Sequence, residues 1–414
     1  MTRRVVITGL GAVSPVGNDL PTTWSNLIAG KSGAAPIKSF DATQFKTKFA
    51  CEVKDFDITP LVGKKEARRM DRFTQLAVAA TKEALDDSGL QVTPDSSWRV
   101  GVLVGTGIGG ISTIETEMRQ LVFKGPDRIS PFLVPMMLPD TAAGQIAIQF
   151  GLRGPNMCAV SACATGSNAI GEAFEWIRRE AAEVVVAGST EAGVIPLALA
   201  SFNNMTAIST RNENIEGASR PFDRTRDGFV VAEGAAILIL EELEHARARG
   251  AKIYGEIIGY GATADAYHIT APAEDGAGAA MAMRLALKQA KLQPEQIDYI
   301  NAHGTSTPLN DKSETLAIKA VFGEAAYNVP ISSTKSMTGH LMGSAGSLEA
   351  VVCAKVINEG IIPPTINYEH PDPECDLDYT PNIARQLAVN TVMSNSFGFG
   401  GHNAVLIMRR YREP

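Results

Sequence analysis

Four short stretches of this chain occur twice, in the same order, and that repeat restricts the fold more than any other feature. Ile7-Thr-Gly-Leu-Gly-Ala12 returns as Ile257-Ile-Gly-Tyr-Gly-Ala262. Ala84-Leu85, Leu90, Pro94-Asp95 and Gly105-Thr106 return as Ala286-Leu287, Leu292, Pro294-Glu295 and Gly304-Thr305. Cys163-x-x-Gly166-Ser167 with Glu172-Ala173 matches His340-x-x-Gly343-Ser344 with Glu349-Ala350. Ala236-Ile-Leu-Ile-Leu240 matches Ala404-Val-Leu-Ile-Met408. The chain therefore reads as a duplicated α/β unit with halves 1–250 and 251–414. If the halves pack about a pseudo-twofold axis, Cys163 and His340 stand at equivalent helix starts facing one interface, a favoured place for a pocket.

Within each half, apolar runs alternate with helical patterns, which indicates an α/β fold. Strands are expected at Val5–Gly9, Val100–Gly105, Val184–Gly188, Val230–Leu240, Ile253–Tyr260, Tyr299–Ala302, Val392–Ser396 and Ala404–Met408. Phe73, Leu76, Ala77, Ala80, Ala84 and Leu85 form a helical stripe that Gly89 would stop. A second helix is expected from Asn168 to Glu183, with Ala169, Ile170, Ala173, Phe174 and Ile177 on one side. Ser209 to Arg226 is polar and reads as a surface excursion; Pro363 to Pro381 reads as irregular loop.

Composition removes several function classes. At 414 residues with 45% hydrophobic content, the chain can bury a large core. A net charge of −7 disfavours broad binding to nucleic acid or anionic membranes. Five scattered cysteines without CxxC spacing argue for a reducing, cytoplasmic compartment and against a disulfide framework or structural zinc. A plastid or mitochondrial protein that had lost its transit peptide would look the same. The apolar start after Arg4 is broken by Gly9, Gly11, Ser14, Pro15 and Gly17, and no stretch is long enough to span a membrane. Dinucleotide binding is rejected too. Gly9-Leu-Gly-Ala-Val-Ser14 has serine where such a motif needs a small apolar residue, and Gly105-Thr-Gly-Ile-Gly-Gly110 lacks the later acidic residue.

Cys163 lies among small residues just before a helix. Unpaired N–H groups and the helix dipole favour an anion there, and a cysteine so placed can have its pKa lowered to roughly 3.5–7.5. On residue type alone, a buried inert cysteine is the commoner case. The six histidines then divide by setting. His245 belongs to a charged helical face, and His370 to an acidic loop without metal-ligand spacing. His268 and His402 occupy small-residue turns that could line a site. His303 follows a strand in Asn301-Ala-His-Gly-Thr-Ser-Thr307, and His340, in Lys335-Ser-Met-Thr-Gly-His340, is read as opening a helix. Two neutral imidazoles can donate N–H bonds to a carbonyl that becomes an enolate. Lys335 adds a positive charge, and Glu349 could hold that lysine or a cation. Lys64, Lys65, Arg68, Arg69 and Arg72 cluster on one helical stretch, either a solvated face or a docking patch for an acidic partner.

Those motifs, together with Val160-Ser-Ala-Cys-Ala-Thr-Gly166 and Asn395-Ser-Phe-Gly-Phe-Gly-Gly401, make the chain resemble the β-ketoacyl-[acyl carrier protein] synthases end to end. These are the elongating condensing enzymes of type II fatty-acid synthesis, and the likeness is greatest to the synthase II class. The resemblance implies a thiolase-like fold, two βαβαβαββ halves in a five-layer α-β-α-β-α arrangement, and a homodimer. It implies that Cys163 carries an acyl chain as a thioester, and that His303 and His340 stabilise the enolate formed when malonyl-carrier protein loses CO2. Backbone N–H groups of Cys163 and Phe399 would hold the oxyanion, and Lys335 and Glu349 would organise the site. Thr305 and Thr307 would contact phosphopantetheine, which arrives on the carrier protein; catalysis needs no other cofactor. Ile108 and Phe202 would line the acyl pocket, and Phe399 would gate it. The stretch from Lys64 to Arg72 would receive the carrier protein. Asn301, Glu349, Ser394 and Asn395 would surround a structural Na+, K+ or Mg2+. The alternatives are a polyketide-type ketosynthase or a non-catalytic chain-length-factor-like subunit, and Cys163 speaks against the second. A thiolase would carry a second late cysteine where this chain has Asn395-Ser396-Phe397.

Overall fold

A computed structural model describes residues 3–413; Met1 and Thr2, at the start of the first expected half, and Pro414, at the end of the second, lie outside it. Ten strands make the main sheet: β1 (Val5–Val13), β2 (Val100–Gly105), β3 (Asn156–Met157), β4 (Val184–Ala192), β5 (Glu233–Glu242), β6 (Gly255–Ala264), β7 (Tyr299–Asn301), β8 (Ile331–Ser332), β9 (Thr391–Gly398) and β10 (His402–Arg409). Eight helices matter to the site: α1 (Arg72–Ser88), α2 (Ile111–Lys124), α3 (Thr141–Phe150), α4 (Thr165–Arg178), α5 (Pro196–Asn204), α6 (Ala277–Ala290), α7 (Pro308–Phe322) and α8 (Ala345–Glu359).

The strand order is β8-β7-β9-β10-β6-β1-β5-β4-β2-β3. It reads as two copies of one five-stranded pattern placed back to back. In each copy three strands run parallel and the last two antiparallel. Among the described strands, the two copies pair with each other where β1 meets β6, with Val5 opposite Ile257 and Ile7 opposite Gly255.

Alternation along the strands explains the layers, because successive side chains point to opposite faces. On β5, Ala236, Leu238 and Leu240 enter a central core with α4 and α8, whereas Ala235, Ile237 and Ile239 face an outer core with α1 and α3. On β10, Leu406 and Met408 join the central core, while Val405 and Ile407 face α6 and α7. The order is therefore helix, sheet, helix, sheet, helix: the five-layer thiolase-like architecture.

The repeated glycines have a packing cause. A Cβ on Gly11 would stand 2.1 Å from the Ala80 carbonyl oxygen of α1, and one on Gly261 would stand 2.1 Å from that of Ala282 in α6. Only glycine lets each outer helix lie this close to its strand. In the central layer, Gly166 and Gly346 let α4 and α8 meet backbone to backbone. Beside them, Ser167 pairs with Ser396 at 2.8 Å, and Ser347 pairs with Ser189.

Four expectations are corrected. The helix expected to reach Glu183 stops at Arg178, where Glu180 adopts φ 67° and the chain turns into β4. Ser209 to Arg226 is no surface excursion: Arg220, Asp223 and Arg226 are buried, and Arg226 pairs with Asp372 and Asp311 beneath the chain that enters α7. Lys64–Ala67 and α1 are separate helices, so the basic cluster is not on one helical stretch.

The fourth concerns register. Both halves show a left-handed residue, a tight turn and then a helix: Ala162 (φ 50°) before α4 and Met342 (φ 48°) before α8. Cys163 is therefore equivalent to Gly343, not to His340. The sequence match lay about one helical turn away, a slip that leaves the same small residues on the same helix face. His340 opens no helix either. It sits on a β-bridge beside Val231, its N–H donating to the Val230 carbonyl at 2.7 Å and its carbonyl accepting from Ala232 N–H at 3.0 Å.

Candidate active site

Three turns converge where the halves meet. The tight turn ahead of α4 carries Cys163, the chain leaving β7 carries His303, and the bridge before α8 carries His340. All three side chains are buried and line one cavity of about 460 Å3, together with Ile108, Phe202, Thr305, Thr307 and Phe399. His340 Nε2 stands 3.0 Å from Cys163 Sγ, and the two imidazole rings meet edge to face at 5.4 Å.

Charge and protonation follow from burial. Desolvation, with the Lys335 charge nearby, holds both imidazoles well below the usual histidine range, so both are neutral. Lys335 Nζ donates to the His303 carbonyl at 2.6 Å, lies 3.4 Å from His303 Nδ1, and also donates to Glu349 Oε1. A lysine has no lone pair to offer when charged, so it favours the tautomer in which His303 bears its proton on Nε2. His340 Nδ1 is buried without a hydrogen-bond partner among the described residues, which leaves its tautomer free.

The lowered thiol pKa that a helix start can give is not found. Burial pushes Cys163 up to about 11, outweighing the pull of Lys335 and of a hydrogen bond from Phe399 N–H. The resting pair is thus a neutral thiol beside a neutral imidazole. Because Phe399 N–H reaches the sulfur, it is also placed to serve an oxygen bonded to the same carbon. Gly398 brings that loop against the Cys163 backbone, where a Cβ would lie 2.9 Å from Cys163 N.

Thr305 and Thr307 share a 2.9 Å hydroxyl contact at one side of the cavity. Ile108 lies on the turn after β2, and Phe202, from α5, packs edge-on against Phe229 at 5.5 Å. Asn301 Oδ1, Glu349 Oε2, Ser394 Oγ and Asn395 Oδ1 are all buried without a hydrogen-bond partner among the described residues. Asn301 and Ser394 are register partners on β7 and β9, and α8, which carries Glu349, packs on β9. Four orphaned oxygens are a donor set that fits a hard cation.

Other candidates fall away from the cavity. His245 bonds Glu241, His268 is exposed and caps its own turn, and His370 and His402 are exposed. Among the described residues no cluster of histidine, cysteine and carboxylate could hold a metal, and no helix is long and apolar enough to cross a membrane. Of the basic cluster, Lys64, Lys65 and Arg68 are exposed. Arg69 stacks on Phe132 at 4.8 Å, and Arg72 forms a two-pronged ion pair with the buried Glu233.

Sequence reasoning missed three residues. Glu314 accepts the N–H groups of His303 and Gly304, each at 2.8 Å, and Phe229 packs edge-on against His340 at 5.2 Å. Glu191 is buried beneath the cavity wall. In the sequence Glu314 stands among other polar residues, whereas Glu191 follows the apolar run Val184–Gly188, the one signal that could have marked it as interior.

Comparison with known proteins places the whole chain in one family. The family model for the β-ketoacyl synthase N-terminal domain matches residues 2–246, and that for the C-terminal domain matches residues 254–369. A 3-oxoacyl-[acyl-carrier-protein] synthase 2 of Synechocystis sp. is 54% identical over 410 residues, covering 99% of each chain. The protein of that name from Staphylococcus aureus is 52% identical over 409 residues, again covering 99% of each. Among solved structures, a β-ketoacyl synthase from Burkholderia phymatum superposes with a TM-score of 0.92 at 38% identity, covering 99% of this chain and 100% of that one. The ketosynthase complex AntDE:AntF, a type II polyketide acyl-carrier protein with its ketosynthase, gives 0.92 at 37% identity over 100% of both chains. By fold, site and sequence, the chain belongs to the β-ketoacyl synthase family.

Proposed function

We propose that the protein catalyses decarboxylative Claisen condensation of an acyl chain on Cys163 with malonyl-[acyl carrier protein]. The products are β-ketoacyl-[acyl carrier protein], CO2 and free carrier protein, in fatty-acid elongation. The observation that carries this reading is the 3.0 Å contact of Cys163 Sγ with His340 Nε2, in a cavity shared with a second neutral imidazole. The higher identity to elongating synthases than to the polyketide complex favours fatty-acid over polyketide chemistry.

In the first half-reaction Cys163 Sγ attacks the acyl thioester carbonyl while its proton passes to His340 Nε2. The carrier thiol leaves with that proton, which returns His340 to neutrality. The oxyanion lies against the N–H groups of Cys163 and Phe399. In the second, the malonyl C–C bond breaks, CO2 departs, and the electron pair enters an enolate oxygen that accepts N–H bonds from His303 and His340. The enolate carbon then attacks the acyl carbonyl, the C–S bond to Cys163 breaks, and the departing thiolate takes up a proton from solvent by way of His340 Nε2 to regenerate the thiol.

The reading extends to the surroundings. Thr305 and Thr307 contact the phosphopantetheine arm, Phe399 gates the cavity, and Ile108 and Phe202 bound the acyl chain. Lys64, Lys65 and Arg68 receive the acidic carrier protein. Asn301, Glu349, Ser394 and Asn395 hold a structural Na+, K+ or Mg2+, which when bound would brace β7, β9 and α8 behind the histidines. Residues 1–250 and 251–414 are the two halves, in keeping with the break between the matched family domains. The functional unit is a homodimer, supported by apolar side chains exposed along α2 and α3 and by the short edge strand β3. A cytoplasmic setting is supported by bacterial relatives and by five cysteines that form no disulfide.

Incubation with an acyl-carrier protein should add one acyl group to the peptide containing Cys163, and Cys163→Ala should abolish condensation. Removing one enolate donor, as in His303→Ala, should slow malonyl decarboxylation by about 10²–10³-fold. Acylation elsewhere, or decarboxylation indifferent to both histidines, would sink the mechanism.

A further inference from the structure

One fully buried carboxylate beside the cavity has no part in the proposed chemistry. Glu191 lies near the end of β4 and has no ion-pair partner among the described residues. Its oxygens are held by four neutral donors. Oε1 accepts from Thr106 Oγ1 at 2.8 Å and from Ile108 N–H at 3.3 Å; Oε2 accepts from Gly107 N–H at 2.8 Å and Gly343 N–H at 3.0 Å. Burial raises its pKa to about 7 even against these bonds.

The four donors come from two places. Thr106, Gly107 and Ile108 form the turn after β2, in the first half of the molecule. Gly343 belongs to the turn before α8, in the second. Each turn presents a side chain to the cavity: Ile108 from one, Met342 from the other. The reacting imidazoles are held differently. His340 is fastened by its bridge to Val230 and Ala232, and His303 by Lys335 and Glu314. The cavity wall and the histidines thus have separate supports.

We propose that Glu191 is a positioning residue that sets acyl-chain selectivity by tying together the two turns, one from each half, that present Ile108 and Met342 to the acyl cavity. This rests on the function proposed above. A glutamine in its place offers one acceptor oxygen and an NH2 group that cannot accept, so the bonds to one oxygen are lost. The turns are then free to part, the wall at Ile108 recedes, and longer chains gain relative to shorter ones.

The test compares kcat/KM for acylation of Cys163 by a short and a long acyl-carrier substrate, in the full-length protein with melting curves recorded alongside. In Glu191→Gln the long-to-short ratio should rise by at least about threefold. Thr106→Val, which removes one donor and leaves the carboxylate, should shift it in the same direction, and Thr106→Ser should restore it. A smaller rise, a fall, or an equal loss for both substrates overturns the proposal, because a merely structural role lowers both alike. If Glu191→Gln does not fold, Thr106→Val against Thr106→Ser decides. Absence of acylation in the unaltered protein would instead defeat the functional reading itself.

Discussion

Cys163 shows how little a residue's local setting decides about its chemistry. A helix start favours a thiolate, yet burial outweighs it and pushes the thiol up to about 11. The sign is testable. A group with a raised pKa is protonated throughout the neutral range, so its thiolate fraction grows about tenfold per pH unit below that value. Alkylation of Cys163 by a neutral haloacetamide should therefore climb steadily between about pH 7 and 9. A plateau reached below that range would mean a preformed thiolate–imidazolium pair. The residue types Cys163, His303, His340 and Lys335 were legible because their motifs are distinctive. Glu314 was not: it looks like one more acidic residue until tertiary packing removes water from it, and only the apolar run before Glu191 hints at the burial of that carboxylate.

At the scale of elements, the apolar runs located all the strands they were expected to mark, since buried strands leave long hydrophobic stretches. Register was harder. Shifting Cys163 against His340 by about one turn keeps the same small residues on the helix face, so only the paired left-handed residues Ala162 and Met342 disclose the true equivalence. The basic cluster makes a similar point: charge pattern alone could not separate the exposed Lys65 and Arg68 from Arg72, which is committed to Glu233. Arg72→Ala should therefore cost about 1–3 kcal/mol in chemical denaturation, since it strands a buried carboxylate. Reversing charge at Lys65 and Arg68 should leave stability nearly unchanged and raise KM for carrier-protein substrates but not for acyl-CoA analogues. The opposite assignment of effects would remove the docking role.

For the whole molecule, the unfinished surface is the one at β3. Phe123 is 80% exposed, Ile148 73% and Met157 59%, on α2, α3 and the edge strand. In the proposed dimer these side chains and the unpaired edge would form the association surface. Sedimentation should give twice the chain mass, and Phe123→Glu with Met157→Glu should shift it toward one chain; a monomer at every concentration would refute the dimer.

What could be read from the chain's order alone was the duplication, the alternation of strands and helices, and the identity of the side chains that meet in the cavity. Each is written in local periodicity or in a motif, and glycine is demanded wherever backbones nearly touch. Only the tertiary structure decided which groups meet. The Cys163–His340 contact joins the two halves, and so does the hold of Glu191 on both walls of the cavity. The pKa values of these groups come from water excluded by the layers around them, a property that no single stretch of chain possesses.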